Sequence, residues 1–464
     1  MDLLQRLNQD YERIVGQTDP VSQMKTLTKK MGEKNMFMEM HGKKMDFPTF
    51  LKPYFVDMKH RPLISHHTRN IIRGVEKVGK AFLEGNNFDG LVYQDGLIAD
   101  LSKVDPIYPS YQVMVRLDCF YHPESGEMKF LEFNCGDPSG MGWNDAMLDI
   151  FLGLPAVRKL GELYDLHTDH LLETHLQAML KKYREFCKAK GILPKDKPTF
   201  AIVCWKDSTI LNDVIEIVES YKRRGYDAIF ADPADFAYDG KTVSVKGTVV
   251  DAVYRDAIDD FIKPEFWPHV QNIIKAYRDG NICFVNPVRA ATGDFKTLPA
   301  IMSDEKYRKH FTEEEWETML ATVPWTRFVR PGKDETFQGK TMEISKLLKR
   351  DKDSFVLKPN VGYGGFGITI GRDATQEQWE KAVDVAVSPN ANFAVQEFVR
   401  IPKDRFPIVE NGEYKGFVER NVNINYWSHA GEFVGAFLRA ATGNIINVHQ
   451  GGGLVPVFFV SDKK

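Results

Sequence analysis

The sequence predicts a mixed α/β protein with several sheets, and three stretches carry that prediction. Residues 111–120 and 128–134 are apolar runs joined by turn residues at 123–126, the pattern of a β-hairpin. Residues 199–290 alternate short apolar runs with an amphipathic helical segment at 209–224, which favours an open, largely parallel sheet. The last third of the chain again alternates strand and helix patterns.

Further elements follow from the spacing of the apolar residues. Helical spacing predicts helices at 3–15, 68–84, 155–190 and 375–387. Strands in the last third are predicted at 355–358, 366–370, 393–398, 418–426 and 432–439. Residues 329–341 show neither spacing and are predicted to form a loop.

The composition is that of an ordinary globular protein, with 464 residues of which 43% are hydrophobic and 27% charged, and this length suits two or three domains. A net charge of −3 does not favour nucleic acid or a membrane surface as a partner. No run approaches the ~18 apolar residues that span a bilayer, and no secretory signal opens the chain. The five cysteines are scattered, with no Cys-x-x-Cys pair. We therefore expect a reducing, cytoplasmic location.

A carboxylate and a carboxamide stand two residues apart at the end of an apolar run, as Glu132 and Asn134. Residues i and i+2 of a strand point to the same face, so the two side chains can share one ligand. Arg116 and Asp118 end the preceding strand with the same spacing, and in a hairpin Asp118 would lie beside Glu132. Such hard oxygen ligands are what Mg²⁺ prefers. The alternative for Arg116 and Asp118 is a surface ion pair that contributes ~0–1 kcal/mol.

A lysine, Lys358, ends another apolar run and precedes a glycine-rich turn that contains Gly364 and Gly365. Glycines let main-chain N–H groups approach phosphate oxygens, and the lysine supplies a positive charge. Lys296, on a different element, can grip the same phosphate chain. A metal half-site together with a phosphate half-site predicts Mg-ATP as the ligand.

Two further segments fit the rest of such a ligand. One apolar strand offers main-chain groups that can read the edge of an adenine, although taken alone it is simply a buried strand. Its residues are Gln396, Glu397, Phe398 and Val399. Arg439 ends another apolar run before the glycines at 451–453, and an arginine there suits a phosphate or a tetrahedral oxyanion.

Three residues with reactive side chains are given structural roles. Cys135 follows the Glu132 and Asn134 pair and is interpreted as a core residue. His167 and His170 have the i, i+3 spacing that a metal can use, but no third ligand is spaced with them. A solvated or capping role is therefore favoured for both histidines.

Together these residues resemble the ATP-grasp ligases in their circularly permuted form, nearest to eukaryotic-type glutathione synthetase and to the synthetase domain of glutathionylspermidine synthetase. Ordinary ATP-grasp enzymes place the metal-binding Glu-x-Asn after the two ATP lysines, whereas here it precedes them. The resemblance covers scattered motifs rather than continuous sequence. The matching segments are Arg116-Leu117-Asp118, Leu131-Glu132-Phe133-Asn134, Val253-Tyr254-Arg255-Asp256, Val356-Leu357-Lys358-Pro359 with the glycines that follow, and Phe437-Leu438-Arg439 with Gly451-Gly452.

The resemblance implies a permuted ATP-grasp fold with an inserted open α/β substrate domain. The expected domains are 1–195, which includes the metal-binding strands, 196–290, which holds substrate, and 291–464, which binds the nucleotide. It also implies ATP and two Mg²⁺ ions as cofactors. Metal ligation falls to Asp118, Glu132 and Asn134, ATP binding to Lys296 and Lys358, catalysis to Arg116 and Arg439, and substrate contact to Ser139 and Arg255.

Two departures from the family pattern are visible. Gly362 stands where glutathione synthetases have an acidic metal ligand, which points to Asp118 as the third ligand. Ala441 stands where those enzymes carry a lysine that helps to grip the acceptor, so the acceptor is left open. No amidase-like Cys-His arrangement precedes the synthetase motifs.

The implied activity is ATP-dependent formation of an amide from a carboxylate and an amine, through an acyl phosphate. The donor is expected to be a small-molecule or peptide carboxylate, and related enzymes are commonly homodimers. Two alternatives stay open: a module that binds ATP without catalysis, and a small-molecule kinase on the same fold. The reaction product separates them, since a ligase makes an amide and a kinase a phosphorylated molecule.

Overall fold

The computed structural model of the protein describes residues 2–40, 43–92, 96–255, 266–360, 365–448 and 452–463. Its secondary structure is mixed, as the sequence predicts. The helices, numbered α1 to α13, are Leu3–Gln17, Pro20–Glu33, Arg61–Leu83, Gly96–Ser102, Met141–Leu152, Pro155–Leu163, Leu171–Lys190, Leu211–Arg223, Trp267–Arg278, Leu298–Met302, Glu313–Thr322, Ile344–Arg350 and Gln376–Ala386.

The strands are numbered β1 to β23 in chain order. They are Phe37–Met40, Lys43–Asp46, Tyr54–Asp57, Met114–His122, Glu127–Asn134, Tyr164–His167, Phe200–Val203, Ala228–Ala231, Phe236–Tyr238, Val243–Val245, Thr248–Val249, Ala252–Arg255, Cys283–Val285, Thr326–Phe328, Asp334–Phe337, Lys340–Glu343, Phe355–Pro359, Thr369–Ile370, Phe393–Glu397, Lys403–Glu410, Glu413–His429, Glu432–Ala441 and Gly453–Asp462.

The large sheet has eight strands in the order β3-β23-β22-β21-β4-β5, with β20 paired to β21 and β6 paired to β23. The predicted hairpin over 111–134 is confirmed, because β4 and β5 pair in antiparallel register. Strand β21 pairs with both β4 and β22, so residues more than 300 positions apart in the chain become neighbours. Helices α1, α2, α3, α5 and α7 pack on this sheet, and their apolar faces form its core.

The open parallel sheet predicted within 199–290 is confirmed, with strand order β13-β12-β7-β8 and parallel pairing throughout. Both of its faces are covered. Phe200 and Ile202 of β7 point into the core shared with the large sheet, whereas Ala201 and Val203 point into a second core together with α9. Because alternate side chains leave a strand on opposite faces, a strand covered on both faces is apolar throughout.

The third sheet is small and antiparallel, in the order β14-β19-β17-β18. Helices α12 and α13 pack with it around a separate core that contains Leu347, Phe355 and Trp379. The strands at 355–358 and 393–398 and the helix at 375–387 appear within one or two residues of their predicted bounds. The strand predicted at 366–370 is only Thr369–Ile370.

The loop predicted at 329–341 is wrong, because this stretch contributes the hairpin β15–β16. Phe337 and Lys340 are its last paired residues, so Gln338 and Gly339 form a two-residue turn. Both have positive φ, 48° and 76°, as a type I′ turn requires. The buried face of β15 carries a charged residue, Glu335, which is ion-paired with Arg327 and Lys333, so the sequence shows no apolar alternation there.

Two other segments differ from expectation. The helical stretch predicted at 155–190 is divided, because Tyr164–His167 forms a strand against β23. Of the glycine turn predicted at 451–453, residue 451 lies outside the described residues and Gly453 begins the ten-residue strand Gly453–Asp462. Among the described helices, none is long and apolar enough to cross a membrane. The domain boundaries at 195 and 290 stay a prediction.

Candidate functional site

A cleft of about 770 Å³, which includes its open mouth, lies between the large sheet and the third sheet. Strands β4, β5, β21 and β22 contribute from one side and β17, β18 and β19 from the other, with the loop 444–447 along one edge. The structure thus gathers into one cleft most of the residues selected from the sequence. Those that line it are Asp118, Glu132, Lys358, Gly365, Gln396, Glu397, Phe398, Val399 and Arg439. Gly364 lies outside the described residues.

The hairpin β4–β5 sets the acidic side of the cleft. Asp118 lies directly opposite Glu132, and Arg116 directly opposite Asn134, so the predicted pairing is confirmed. Directly opposed residues lie on the same face of a sheet. The register shifts immediately after Asp118, which leaves Leu131 as an extra, bulged residue. Such bulges redirect main-chain groups and are common beside functional sites.

Asp118 is the centre of a hydrogen-bond network in the floor of the cleft. Its Oδ1 accepts from Arg116 Nε at 3.1 Å, Asn425 Nδ2 at 3.1 Å and Asn134 Nδ2 at 3.3 Å. Its Oδ2 accepts from Arg439 Nη2. Burial raises the pKa of Asp118, but the guanidinium groups of Arg439 and Arg116 outweigh burial and hold that pKa below its ordinary value. Asp118 is therefore a carboxylate held in one orientation.

Lys296 reaches the same carboxylate pair from another element. Its Nζ lies 3.4 Å from Glu132 Oε1. The segment around Lys296 is tied to the end of β17, because its N–H donates to Asn360 O at 3.2 Å and Thr297 N–H donates to Asn360 Oδ1 at 2.9 Å. Both predicted phosphate-binding lysines are thereby fixed relative to one another.

Lys358 is buried and bound to neutral groups. Its Nζ donates to Gln396 Oε1 at 2.7 Å and to the bulged Leu131 O at 3.3 Å. Gln396 in turn donates to Thr326 Oγ1 at 3.1 Å. Burial lowers the pKa of Lys358 to about 8, and the nearby Glu132 only partly opposes that effect. Gln396 therefore orients a lysine, a role that the sequence did not indicate.

In the segment expected to bind an adenine edge, two main-chain N–H groups already donate to other parts of the protein. Glu397 N–H donates to Trp325 O at 2.8 Å and Phe398 N–H to Ser354 O at 2.7 Å. Among the hydrogen bonds of the described residues, Val399 N–H has no acceptor, so it is the donor this segment can offer. Apolar side chains surround this end of the cleft: Phe120, Leu131, Ile401, Ala441 and Ile446.

Neither of the two residues expected to contact substrate lines this cleft. Ser139 is half-buried, and its main-chain oxygen accepts from Arg116 Nη1 at 2.9 Å. Arg255 is 1% exposed, and its Nη2 donates to Asn286 O at 3.1 Å and to Gly136 O at 3.4 Å. Burial lowers the pKa of the Arg255 guanidinium. Arg255 thus holds main chain next to the cleft.

Sequence reasoning missed the asparagines of the site. Asn423 and Asn444 line the cleft, and Asn425 binds Asp118. The signal was present as three asparagines at alternate positions, 421, 423 and 425, separated by apolar residues. Alternation in a long strand places all three amides on one face.

The two histidines lie beside carboxylates and Cys135 lies in the core, and their structural roles stay a prediction. His167 Nε2 lies 3.2 Å from Asp169 Oδ1 in an exposed position, and His170 Nδ1 lies 3.8 Å from Asp145 Oδ2. Cys135 is buried, and burial raises the pKa of its thiol well above the ordinary value. None of these three residues lines the cleft described above.

Cations outnumber carboxylates at the polar end of the cleft. Two carboxylates, Asp118 and Glu132, are accompanied by four cations, Arg116, Lys296, Lys358 and Arg439. Glu397 adds a third carboxylate to the lining of the cleft, so cations exceed carboxylates by one, which suits a polyanion such as a phosphate chain.

The donor set fits Mg²⁺ in the company of such an anion. Asp118, Glu132 and Asn134 supply hard oxygen atoms from adjacent strands. In this arrangement Asn134 donates from its nitrogen to Asp118 Oδ1, so its oxygen can join Asp118 on one ion only after the side-chain amide turns over. Within the described part of the chain, no group of three or more His, Cys, Asp and Glu residues has a metal-binding arrangement. A set of two carboxylates and one amide agrees with an ion that takes its remaining ligands from phosphate and water.

Comparisons with known proteins concern the fold. No protein-family model matches the sequence, and no curated protein matches it. A glutathione synthetase-like effector from Globodera pallida has a similar structure, with a TM-score of 0.59 and 10% sequence identity over 95% of this chain and 98% of the effector. A γ-glutamylcysteine synthetase-type structure from Methylobacillus flagellatus gives 10% identity over 78% and 85% of the two chains, and its TM-score of 0.39 carries no argument. The chain therefore has a glutathione synthetase-like fold.

Proposed function

We propose that the protein is an ATP-dependent ligase that joins a carboxylate to an amine through an acyl phosphate. The observation that carries the proposal is the cluster of four cations around two opposed carboxylates at one end of a two-sheet cleft. Such a cluster suits phosphoryl transfer, which needs alignment and neutralisation of charge more than covalent help from the protein. The fold shared with a glutathione synthetase-like protein supports the proposal.

Each end of the cleft would have a distinct task. Lys296 and Lys358 would hold the phosphates, and the apolar end near Val399 would hold the base. Asp118, together with the other two oxygen donors of the hairpin, would bind two Mg²⁺ ions, which neutralise charge on the phosphate oxygens. Arg439 would stabilise the transferring phosphoryl group and then the oxyanion, and one such donor contributes roughly 10²–10³ in rate.

The proposed reaction has two steps. In the first, a carboxylate oxygen of the donor attacks the γ-phosphorus of ATP, the bond to the β-phosphate oxygen breaks, and ADP leaves. In the second, the amine nitrogen attacks the acyl carbon, and the bond to the phosphate oxygen breaks with release of phosphate and a proton. The acyl phosphate must be shielded from water, which would hydrolyse it.

Several finer features belong to the same proposal. The fold would be an ATP-grasp fold in permuted order, with the metal-binding hairpin before the two lysines in the chain. Ser139 and Arg255 would shape the donor site through the main chain that they touch or form. The donor would be an amino-acid or peptide carboxylate, and the protein would act in the cytoplasm, as a homodimer.

The test is ADP release from Mg-ATP with a panel of carboxylates, each with and without a mixture of amino acids and polyamines. A ligase releases ADP only when carboxylate and amine are both present, and its product is lighter than their sum by one water. A phosphorylated carboxylate or alcohol as the final product would instead make the protein a kinase. Tight binding of ATP with no turnover on any pair would favour the non-catalytic module.

A further inference from the structure

Strand β21 carries a row of amides that the proposed mechanism has not used, and one of them, Asn423, lines the cleft. Asn421, Asn423 and Asn425 occupy alternate positions, whereas Val422 and Ile424 between them are buried in the core. Asn423 is 4% exposed and Asn425 is fully buried. Amides at such depth need partners, so their hydrogen bonds show what they hold.

Asn423 is held in one orientation by three bonds. Its Nδ2 donates to Cys119 O on the neighbouring strand at 3.3 Å, which fixes which end of the amide faces the cleft. Its Oδ1 accepts from Arg439 Nη2 at 2.9 Å and from Asn425 Nδ2 at 2.6 Å. The guanidinium of Arg439 is therefore shared between the carboxylate of Asp118 and the amide of Asn423.

Asn425 completes the connection to the metal side of the cleft. Its Nδ2 donates both to Asn423 Oδ1 and to Asp118 Oδ1, the latter at 3.1 Å. Strand pairing explains this arrangement, since Asn425 lies opposite Asp118 and Asn423 lies opposite Arg439. The two amides thus join the carboxylate and the guanidinium through rigid strands.

We propose that Asn423 and Asn425 are positioning residues that hold Arg439 and Asp118 in a fixed relation for the reaction. This inference rests on the proposed function, because the role of Arg439 does. An amide oxygen orients a guanidinium without adding negative charge, so the charge of Arg439 stays available for a phosphoryl group or an oxyanion. A carboxylate in place of Asn423 would compete with the ligand for that charge and could not donate to Cys119 O.

The test is a double-mutant cycle of Asn423→Ala and Arg439→Ala, with the rate of ADP release and the affinity for a non-hydrolysable ATP analogue with Mg²⁺ as readouts. We expect Asn423→Ala to lower the rate roughly 10- to 100-fold, the range for losing a hydrogen bond to a charged group, and to change analogue affinity by less than about threefold. In the Arg439→Ala background the same change should have almost no further effect, because Asn423 acts through Arg439.

Three variants make the test specific. Asn423→Asp is nearly isosteric and should not rescue the rate, because it adds charge beside Arg439. Asn425→Ala should lower the rate less than Asn423→Ala and should add little in the Asn423→Ala background. Asn70→Ala removes another buried amide, which donates to Thr318 Oγ1 at 3.0 Å and does not line the cleft, and it should lower thermal stability while leaving the rate unchanged.

The outcomes separate the two proposals. Equal effects of Asn423→Ala with and without Arg439 would overturn the positioning role while the ligase stands. A wild-type protein that releases no ADP on any substrate pair would overturn the proposed function, and the positioning role would fall with it. If Asn423→Ala does not fold, Asn423→Ser enters the same cycle, since its hydroxyl is too short to bridge Cys119 O and Arg439 together.

Discussion

The two sheets that face each other across the cleft compensate their buried charges in different ways. On the large sheet, Asp118 is matched by two guanidinium groups and two amides, and its pKa is held below the ordinary value despite burial. On the third sheet, Lys358 is bound only by neutral oxygens, and burial lowers its pKa to about 8. One side is a closed ionic network and the other is a buried cation without a bound counter-charge.

This difference indicates what each side is prepared for. A closed network keeps its geometry whether or not a ligand is present, which suits groups that must align a reaction. A buried lysine that is held by dipoles alone gains most when an anion arrives, because burying a charge without a counter-charge is costly. We therefore expect changes on the large sheet to affect the rate, and changes on the third sheet to affect affinity.

The largest effect is expected for Asp118→Asn. This change removes the charge that we propose binds metal, and it leaves the buried guanidinium of Arg439 and the partly exposed guanidinium of Arg116 without their carboxylate. The rate of ADP release should therefore fall by roughly 10³ or more. Breaking a buried ionic network also destabilises a protein by about 3–5 kcal/mol, which thermal unfolding would measure. Asp57→Asn is the matched control, since Asp57 is buried and ion-paired with Lys59 outside the cleft. An Asp118→Asn protein that keeps a tenth of the wild-type rate would refute the metal assignment.

Lys358→Met should act on affinity instead. Loss of the charge should weaken binding of the ATP analogue roughly 10- to 100-fold, because hydrogen bonds to charged groups contribute about 1.5–3 kcal/mol. Titration calorimetry would measure the affinity of each variant for the ATP analogue. Lys352→Met tests specificity, since Lys352 also donates to main-chain oxygens beside the third sheet, at Gly371 and Ala374, but lies outside the cleft. If Lys358→Met and the wild type bound the ATP analogue with equal affinity, Lys358 would not be a nucleotide-binding residue.

Binding of the nucleotide should also depend on pH through Lys358. Without nucleotide the pKa of Lys358 is about 8, so the side chain is charged below pH 8. In that range the affinity for the nucleotide should not change with pH through this group. Above pH 8 a proton must be taken up with the nucleotide, so affinity should fall by up to about tenfold per pH unit. Lys358→Gln should lack this alkaline decline, and a decline that persists in that variant would have another origin.

The same lysine has an opposite effect on the stability of the empty protein. Its pKa is lowered from 10.5 in the unfolded chain to about 8 in the folded one, so the unfolded chain binds more protons between these values. The contribution of Lys358 to the free energy of unfolding should therefore increase as the pH rises from about 8 to about 10.5. Comparing the pH dependence of unfolding in wild type and Lys358→Gln would isolate the contribution.

The contacts within the cleft differ in how far the sequence could predict them. Asp118 and Glu132 belong to one hairpin, so residue spacing was sufficient to place them together. The contact of Arg439 with Asp118 depends on the order of three strands from distant parts of the chain, which no local pattern encodes. Gln396 was assigned to the base because its strand was recognised, whereas its hydrogen bond with Lys358 joins two strands and has no local pattern.

The smallest effect is expected at the apolar end, where the two sheets meet around Val399. Its N–H is the donor that the segment 396–399 leaves for a base, so Val399→Pro, which removes that N–H, should weaken the ATP analogue roughly 3- to 10-fold. Val399→Ala keeps the N–H and should change affinity less, because only part of the apolar contact is lost. Competition by an analogue without a base should be equally strong in both variants, since the phosphates are held at the other end of the cleft. If Val399→Ala weakened binding as much as Val399→Pro, the base would be held by apolar contact alone.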